Sequence, residues 1–353
     1  MISADQSEEL AAKVTEARDS GNPLVIMGGN TRAWLGNAPE ADFPTLSVAG
    51  HRGVIDYQPE ELVIRVRAGT PLTEVVSLLA ANQQYLPFEP PAFGSESTIG
   101  GVIATGLSGP GRPFRGAVRD HVLGATIISG AGECLSFGGQ VMKNVAGYDV
   151  SRLMAGSYGV LGVLLDVSLK VLPVPQATVT LAVPLSVQAA HARMPGLSMI
   201  PEVSALAWYN GQLLVRYSGT EQAMARIRST ADGELAEDHI WAQIRDLSLP
   251  EIAAADVLWR ISIKPSASDL LGETCLLDWC GGLRWIVPAE AMTDVRAGLS
   301  QGEAMIFRGS TETKQRFGTF HPMAPVPARL NLALKKRFDP AGILNPGRLF
   351  EEA

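Results

Sequence analysis

The sequence predicts an α+β protein made of more than one domain. Three observations carry that prediction. At 353 residues the chain is longer than one hydrophobic core usually organises. Its first half alternates short apolar runs with Gly-rich polar turns, whereas the middle carries β-rich runs joined by tight hairpin signals. A hydrophobic fraction of 46% against 18% charged residues leaves enough apolar surface for sizeable cores and excludes disorder.

The elements follow in order. Ser7, Glu8 and Glu9 can start a helix whose apolar face includes Leu10, Val14 and Ala17, and Gly21, Asn22 and Pro23 end it. A short buried strand over 24–27 leads into the polar turn GGNTRAWLG at 28–36. Strand-like segments occupy 45–48, 54–57 and 62–68. Pro71, at its preferred first position, then opens a helix through Leu72, Val75, Val76 and Leu79. The proline-rich YLPFEPPAFG precedes a glycine-dense tract over 98–116. Strands over 123–129 and 134–137 follow, and the apolar run 159–172 closes a first domain, 1–175.

The second domain, 176–322, opens with a strand over 178–184 and a helix over 187–194. Two β-rich runs then meet at Asn210-Gly211, the strongest short hairpin signal. A helix over 220–235, a strand over 258–263, a hairpin about Gly281-Gly282, a helix over 289–299 and a strand over 304–308 complete a repeated β–α–β–β–α pattern. That pattern implies an antiparallel sheet with helices on one face. A tail segment, 323–353, holds a helix over 326–338 and the closing DPAGILNPGRLF.

Several function classes fall away. A net charge of −7 argues against general nucleic-acid binding, which rests on basic neutralisation of phosphates. The amino terminus lacks the basic and apolar regions of a secretory signal, and Asp166 and Lys170 interrupt the most apolar stretch. The expectation is a cytoplasmic protein with no integral membrane segment, any contact with the inner membrane being made through partners. Cys134, Cys275 and Cys280 match no zinc or iron–sulfur spacing and read as small hydrophobes. No G-x-G-x-x-G, Walker A or i, i+4 histidine pair occurs, so no Rossmann, P-loop or metal site is expected. AGSYG, at 155–159, misses the nucleophile elbow by its first glycine.

What remains is glycine-rich polar loop. In GGNTRAWLG, Gly28 and Gly29 permit close backbone approach, and successive N–H groups can converge into a nest for an anion. Asn30 and Thr31 add side-chain donors. STIGGVIATGLSGPG, at 97–111, would let a large flat ligand lie against backbone, and GSYGVLG joins a Gly-rich bend to a buried strand. A plain turn accounts for any one of these glycines taken alone.

Together, the segment 23–36, the TIGG at 98–101, FRGAVRD at 114–120, GVLGVLLDVSLKVLP and the closing FDPAGILNPGRLF resemble the vanillyl-alcohol oxidase-type (PCMH-type) FAD-binding family. The run from RGAVRDHVLG to GSYGVLGVL is similar to the FAD-binding subunits of bacterial glycolate oxidase. The resemblance implies a PCMH-type two-subdomain FAD-binding fold, a smaller antiparallel-sheet cap domain, and a C-terminal helix returning to the FAD domain. It places Gly28, Gly29, Asn30 and Thr31 on the pyrophosphate, and Thr98, Gly100, Gly101, Thr105 and Gly109 along the ribityl chain and flavin. Gly116, Arg119 and Asp120 would follow the cofactor. Gly159, Gly162 and Val163 would meet the adenine side, and Asn345 would approach from the tail. Lys143, Asn144, Tyr148 and Asp149 are weighed between cofactor contact and packing.

FRGAV offers no His or Cys for covalent attachment, so noncovalent FAD is expected. The histidine pair and acidic residue that hold a metal in related catalytic flavoproteins are missing too. The implied function is therefore the FAD-binding subunit of a heteromeric glycolate oxidase that turns glycolate, a small 2-hydroxy acid, into glyoxylate. A sister flavoprotein subunit and an iron–sulfur subunit are the implied partners. Arg260, Lys264 and His321 are the candidates for holding the substrate carboxylate or moving a proton. Two alternatives stay open: a self-sufficient FAD-dependent dehydrogenase for a 2-hydroxy acid or alcohol, and a non-catalytic scaffold subunit with a vestigial flavin fold.

Overall fold

A computed structural model describes residues 4–37, 42–139 and 149–349; Lys143, Asn144 and Tyr148 lie outside the described residues. The chain divides into two compact units. The first joins residues 1–107, 117–173 and 322–353, and the second joins 108–116 with 174–321. The tail thus rejoins the first unit.

The first unit is organised by a five-stranded antiparallel sheet in the order Val54–Gln58, Val63–Arg67, Val163–Lys170, Val122–Ile128, Cys134–Gly138. Val163–Lys170 is central and buried along nearly its whole length, which is why its sequence runs apolar without strict alternation. Its one carboxylate, Asp166, is met by Arg65 Nε at 2.7 Å. One core packs Ile64, Val66, Val167 and Leu169 against helix Leu72–Ala81 and helix Ile99–Thr105. A second core sets Leu10 and Val14 of helix Ser7–Ser20 against Val163, Leu165 and the tail residues Ile343 and Leu344. A small parallel pair, Val25–Met27 with Thr45–Ser47, completes the unit's strand framework beside Gln84–Tyr85 and Leu172–Pro173.

Helix Ile99–Thr105 corrects the reading of 98–116 as glycine-dense loop. Two glycines in its first turn lower helix propensity. Thr98 offsets this by accepting from Gly101 N at 3.3 Å. A Cβ on Gly100 would also come 2.8 Å from that of Ala68, so the glycine lets this helix lie directly on its neighbour.

The second unit is built on an eight-stranded antiparallel sheet with the order Glu234–Ala236, Ala177–Pro184, Gln212–Gly219, Val203–Tyr209, Leu276–Asp278, Leu283–Ile286, Leu258–Ser262, Glu303–Arg308. Asn210 (φ 47°) and Gly211 (φ 76°) turn the hairpin where the sequence placed it. Helices Val187–Ser198 and Glu221–Thr230 cover the first half of this sheet.

Two helices expected from spacing are corrected. The helix over 220–235 stops at Thr230, because Gly233 adopts φ 124° and the chain re-enters the sheet beside Thr180–Ala182. The helix over 289–299 is only a 3₁₀ turn, Val295–Gly298. Asp294 accepts from Arg296 N at 3.0 Å, Met292 is exposed, and only Val295 of that turn is buried. No helix among the described residues is long and apolar enough to cross a membrane.

Candidate functional site

The tail builds one wall of the site. Asp339 is fully enclosed and binds Lys335 Nζ at 2.6 Å through Oδ2. The same carboxylate accepts from Ile343 N at 3.2 Å and Leu344 N at 2.8 Å, which folds the chain after the helix into a fixed loop. Lys335 also donates to Leu344 O at 2.7 Å, so the buried charge pair is satisfied on both sides. The loop delivers Asn345, whose Oδ1 accepts from Ile26 N at 2.7 Å while its Nδ2 donates to Tyr158 O at 2.7 Å. One side chain thereby joins the first strand, the tail and the bend before Gly159.

These segments enclose a cavity of about 310 Å³ together with the glycine turn at 28–33 and the start of helix Ile99–Thr105. Its glycines are dictated by space. A Cβ on Gly29 would lie 2.5 Å from the carbonyl carbon of Glu96 and nearer still to the oxygen; one on Gly159 would lie 2.6 Å from Asn345 Nδ2. Three non-glycine residues lining the cavity hold positive φ: Asn30 at 57°, Tyr158 at 53° and Asn345 at 46°. Such backbone costs energy and persists where surrounding bonds over-determine it, as those of Asn345 do.

Two arginines, Arg32 and Arg348, are among its lining residues, and no Asp or Glu is among the described residues that line it. Arg32 crosses to the neighbouring loop, donating to Ser97 Oγ at 2.6 Å and Pro91 O at 2.5 Å. Arg348 is turned back on the glycine turn and donates to the carbonyls of Arg32 (3.2 Å), Ala33 (2.5 Å) and Asn37 (2.9 Å). Burial lowers the Arg348 pKa from its ordinary value, yet a guanidinium stays charged at neutral pH. Backbone N–H groups on a glycine turn, two cations and an absence of competing carboxylates make a donor set for a phosphate or pyrophosphate.

Of the residues singled out from sequence, Gly28, Gly29, Asn30, Thr31, Thr98, Gly100, Gly101, Thr105, Gly159, Gly162 and Asn345 line this cavity. Five others do not. Val163 begins the central strand and packs in the core with Leu10 and Leu24. Gly109 and Gly116 belong to the second unit, where Gly109 O accepts from Trp279 Nε1 at 2.9 Å and Gly116 closes helix Arg112–Arg115 with φ 96°. Arg119 and Asp120 are exposed on the short helix Val118–His121, where Asp120 accepts from Ala117 N at 2.9 Å. Asp149 caps helix Val150–Leu153.

The three substrate-side candidates all sit in the second unit and meet different surroundings. Arg260, on Leu258–Ser262, lies 5.2 Å from the ring centre of Trp279, which Arg112 approaches at 4.2 Å. Lys264 is exposed in the turn after that strand. His321 uses Nδ1 to accept from Ala304 N at 3.3 Å. Among the described residues no group of His, Cys, Asp and Glu is arranged to hold a metal.

Among the lining residues that sequence reasoning missed, Arg32, Tyr158 and Arg348 carry polar groups. Arg32 and Arg348 lay inside motifs already singled out, GGNTRAWLG and NPGR, but the direction of a guanidinium depends on tertiary neighbours.

Residues 1–138 match a family described as FAD binding domain. The chain is 42% identical over 353 residues to the glycolate oxidase subunit GlcE of Escherichia coli K12, covering 99% of this chain and 98% of that protein. It is 27% identical over 181 residues to the glycolate oxidase subunit GlcD of Bacillus subtilis, covering 51% of this chain and 38% of that one. A solved structure of alkyldihydroxyacetonephosphate synthase superposes with a TM-score of 0.66 at 16% identity, over 97% of this chain and 76% of the other, which shows a shared fold. The near full-length match, with the FAD-binding domain at its head, establishes that the chain belongs to the GlcE family of glycolate oxidase subunits.

Proposed function

We propose that this chain holds FAD noncovalently as one subunit of a complex that oxidises glycolate to glyoxylate, beside a sister flavoprotein subunit and an iron–sulfur subunit. The observation that carries the reading is the cavity of residues 25–33, 98–105, 158–162 and 345–348. It combines a crowded glycine turn with two arginines and, among the described residues, no carboxylate, in a chain matching GlcE over nearly its whole length. Among the described residues no His or Cys lines it, which suits a cofactor held without a covalent bond.

Bound FAD supplies the redox chemistry of such a site. The chain's own residues bind and orient. The N–H groups at 28–32 would take the pyrophosphate oxygens, and Arg32 and Arg348 would balance their charge. Thr98, Gly100, Gly101 and Thr105 would let the rest of the cofactor lie against backbone. Asn345 fixes the spacing between the two walls through Ile26 and Tyr158. Arg260, Lys264 and His321 are the candidates for the substrate carboxylate or a proton; Arg260, 5.2 Å from the Trp279 ring centre, carries the planar fork that pairs with a carboxylate in bidentate fashion. The complex works in the cytoplasm, and inner-membrane contact comes through the partner subunits.

Reduction of the flavin by glycolate tests this directly. Stopped-flow bleaching of flavin absorbance should appear in the assembled complex and be far slower in the isolated chain. Full-rate bleaching by the isolated chain would favour a self-sufficient dehydrogenase, and a complex unreactive toward glycolate would remove the substrate assignment.

A further inference from the structure

Strand Leu283–Ile286 of the second unit carries a charge into the interior. Arg284 pairs with Ile261 on one side and Leu277 on the other, and it is 0% exposed. Its Nη2 donates to Ala267 O, while Nε and Nη1 are buried and bonded to nothing among the described residues. The carboxylate whose field reaches it is that of Asp269. The two form no ion pair; Asp269 Oδ1 instead accepts from Ser300 N at 2.7 Å. A second orphaned donor stands on the same face. Trp259 pairs with Ile286, and residues two apart in a strand share a face, so Trp259 and Arg284 are diagonal neighbours. Trp259 is also 0% exposed, and its Nε1 is buried without a bond. Arg296 lies 4.7 Å from the centre of that indole, which brings a second guanidinium to this face.

All three orphaned atoms are donors. Burial lowers the Arg284 pKa from its ordinary value, yet a guanidinium does not give up its proton at neutral pH. Two needs therefore coincide: an acceptor for N–H groups and a counter-charge for a buried cation. A neutral water meets the first and leaves the second, and an uncompensated buried charge is the costly case. An anion meets both.

We propose that Arg284 and Trp259 hold a small monovalent anion of halide size in the interior of the second unit. The surroundings set its size and charge. Ile261, Leu277 and Ala267, all buried, border the guanidinium and offer no side-chain donors, so the further oxygens of a phosphate or sulfate would go unmet. Held there, the ion joins strands Leu258–Ser262 and Leu283–Ile286 to the segment at Ala267 that crosses over them. Its role is structural, and it stabilises the folded chain by mass action.

The test uses the full chain, dialysed into sodium gluconate and titrated with sodium bromide at constant ionic strength while its thermal midpoint is followed. Two variants are compared with wild type. Trp259→Phe removes one N–H and keeps a ring; Arg284→Met removes the charge without stranding another. Circular dichroism checks that each is folded, and if Arg284→Met is not, Trp259→Phe still decides. The wild-type midpoint should rise with the logarithm of bromide concentration relative to Arg284→Met, which should show no such rise. Trp259→Phe should need roughly tenfold more bromide for the same rise. Crystals grown in bromide should show an anomalous peak against Arg284 and Trp259 Nε1. The same bromide response in wild type and both variants would overturn the proposal. So would a peak at the site with no anomalous signal, which would be water, or the Asp269 carboxylate found on Arg284 in its place. An anomalous peak with no response in solution would mean binding at crystal concentration only, and that overturns it too.

Discussion

Replacing Gly29 by alanine should abolish FAD binding while leaving the chain folded. The added methyl would stand 2.5 Å from the Glu96 carbonyl carbon and nearer still to its oxygen, and ordinary contact begins near 3.4 Å, so one of the two backbone segments must retreat by more than about 0.9 Å. Overpacking of this kind costs about 1–3 kcal/mol or more. It also moves the N–H groups of the turn from a bonding distance of about 2.9 Å to beyond about 3.8 Å, outside hydrogen-bond range. Two lost bonds to a charged phosphate, at about 1.5–3 kcal/mol each, amount to about 3 kcal/mol or more. That corresponds to FAD binding weakened roughly 100-fold or beyond. Fluorescence titration of apoprotein with FAD measures the affinity, and circular dichroism checks the fold. Gly196→Ala, where a methyl meets nothing within 4 Å in a helical backbone, should leave FAD affinity unchanged. A Gly29→Ala protein binding FAD within threefold of wild type would refute the placement of the pyrophosphate on this turn.

Three other outcomes follow from particular groups. Asp339→Ala leaves Lys335 buried without its partner and should destabilise the chain by about 3–5 kcal/mol in urea unfolding, with FAD affinity falling because Asn345 loses its mooring. Burial pushes the thiols of Cys275 and Cys280 up to about 12, whereas Cys134 is exposed; a maleimide at pH 8 should label one cysteine quickly in the folded chain and all three in denaturant. His51 is buried near Asp5, Arg67 and Asp166. Desolvation, the largest effect there, lowers its pKa below 6.5, and Nδ1 accepts from Gln6 N at 3.0 Å. The unfolded chain then binds a proton at His51 that the folded chain refuses, so stability is full above pH 6.5 and falls as pH drops toward the lowered folded value. His51→Asn, whose amide oxygen can take the same bond, should flatten that fall in pH-dependent thermal unfolding.

Much of this was legible before any coordinates, for identifiable reasons. Gly28, Gly29 and Thr98 to Gly101 announce the cavity because crowded backbone tolerates so few residue types, and Asn210-Gly211 announces its hairpin because both positions demand positive φ. Other features are tertiary. Helix Ile99–Thr105 is masked by glycines that exist for its packing on Ala68. Arg348 reads as an ordinary tail residue until three carbonyls of the glycine turn are seen around it. Residues 108–116 read as part of the first domain by continuity, yet they pack with the second unit, taking Gly109 and Gly116 out of the cavity. The segment 289–299 reads as a helix, but Met292 is left 39% exposed and only Val295 of the 3₁₀ turn is buried, and a helix with so little apolar surface to bury does not hold.

The most direct test of the FAD assignment is an absorption spectrum of the purified chain before and after acid precipitation. Oxidised-flavin bands that pass into the supernatant as FAD are the predicted result. A colourless chain that takes up no added FAD would contradict the assignment, and colour retained in the pellet would contradict noncovalent binding.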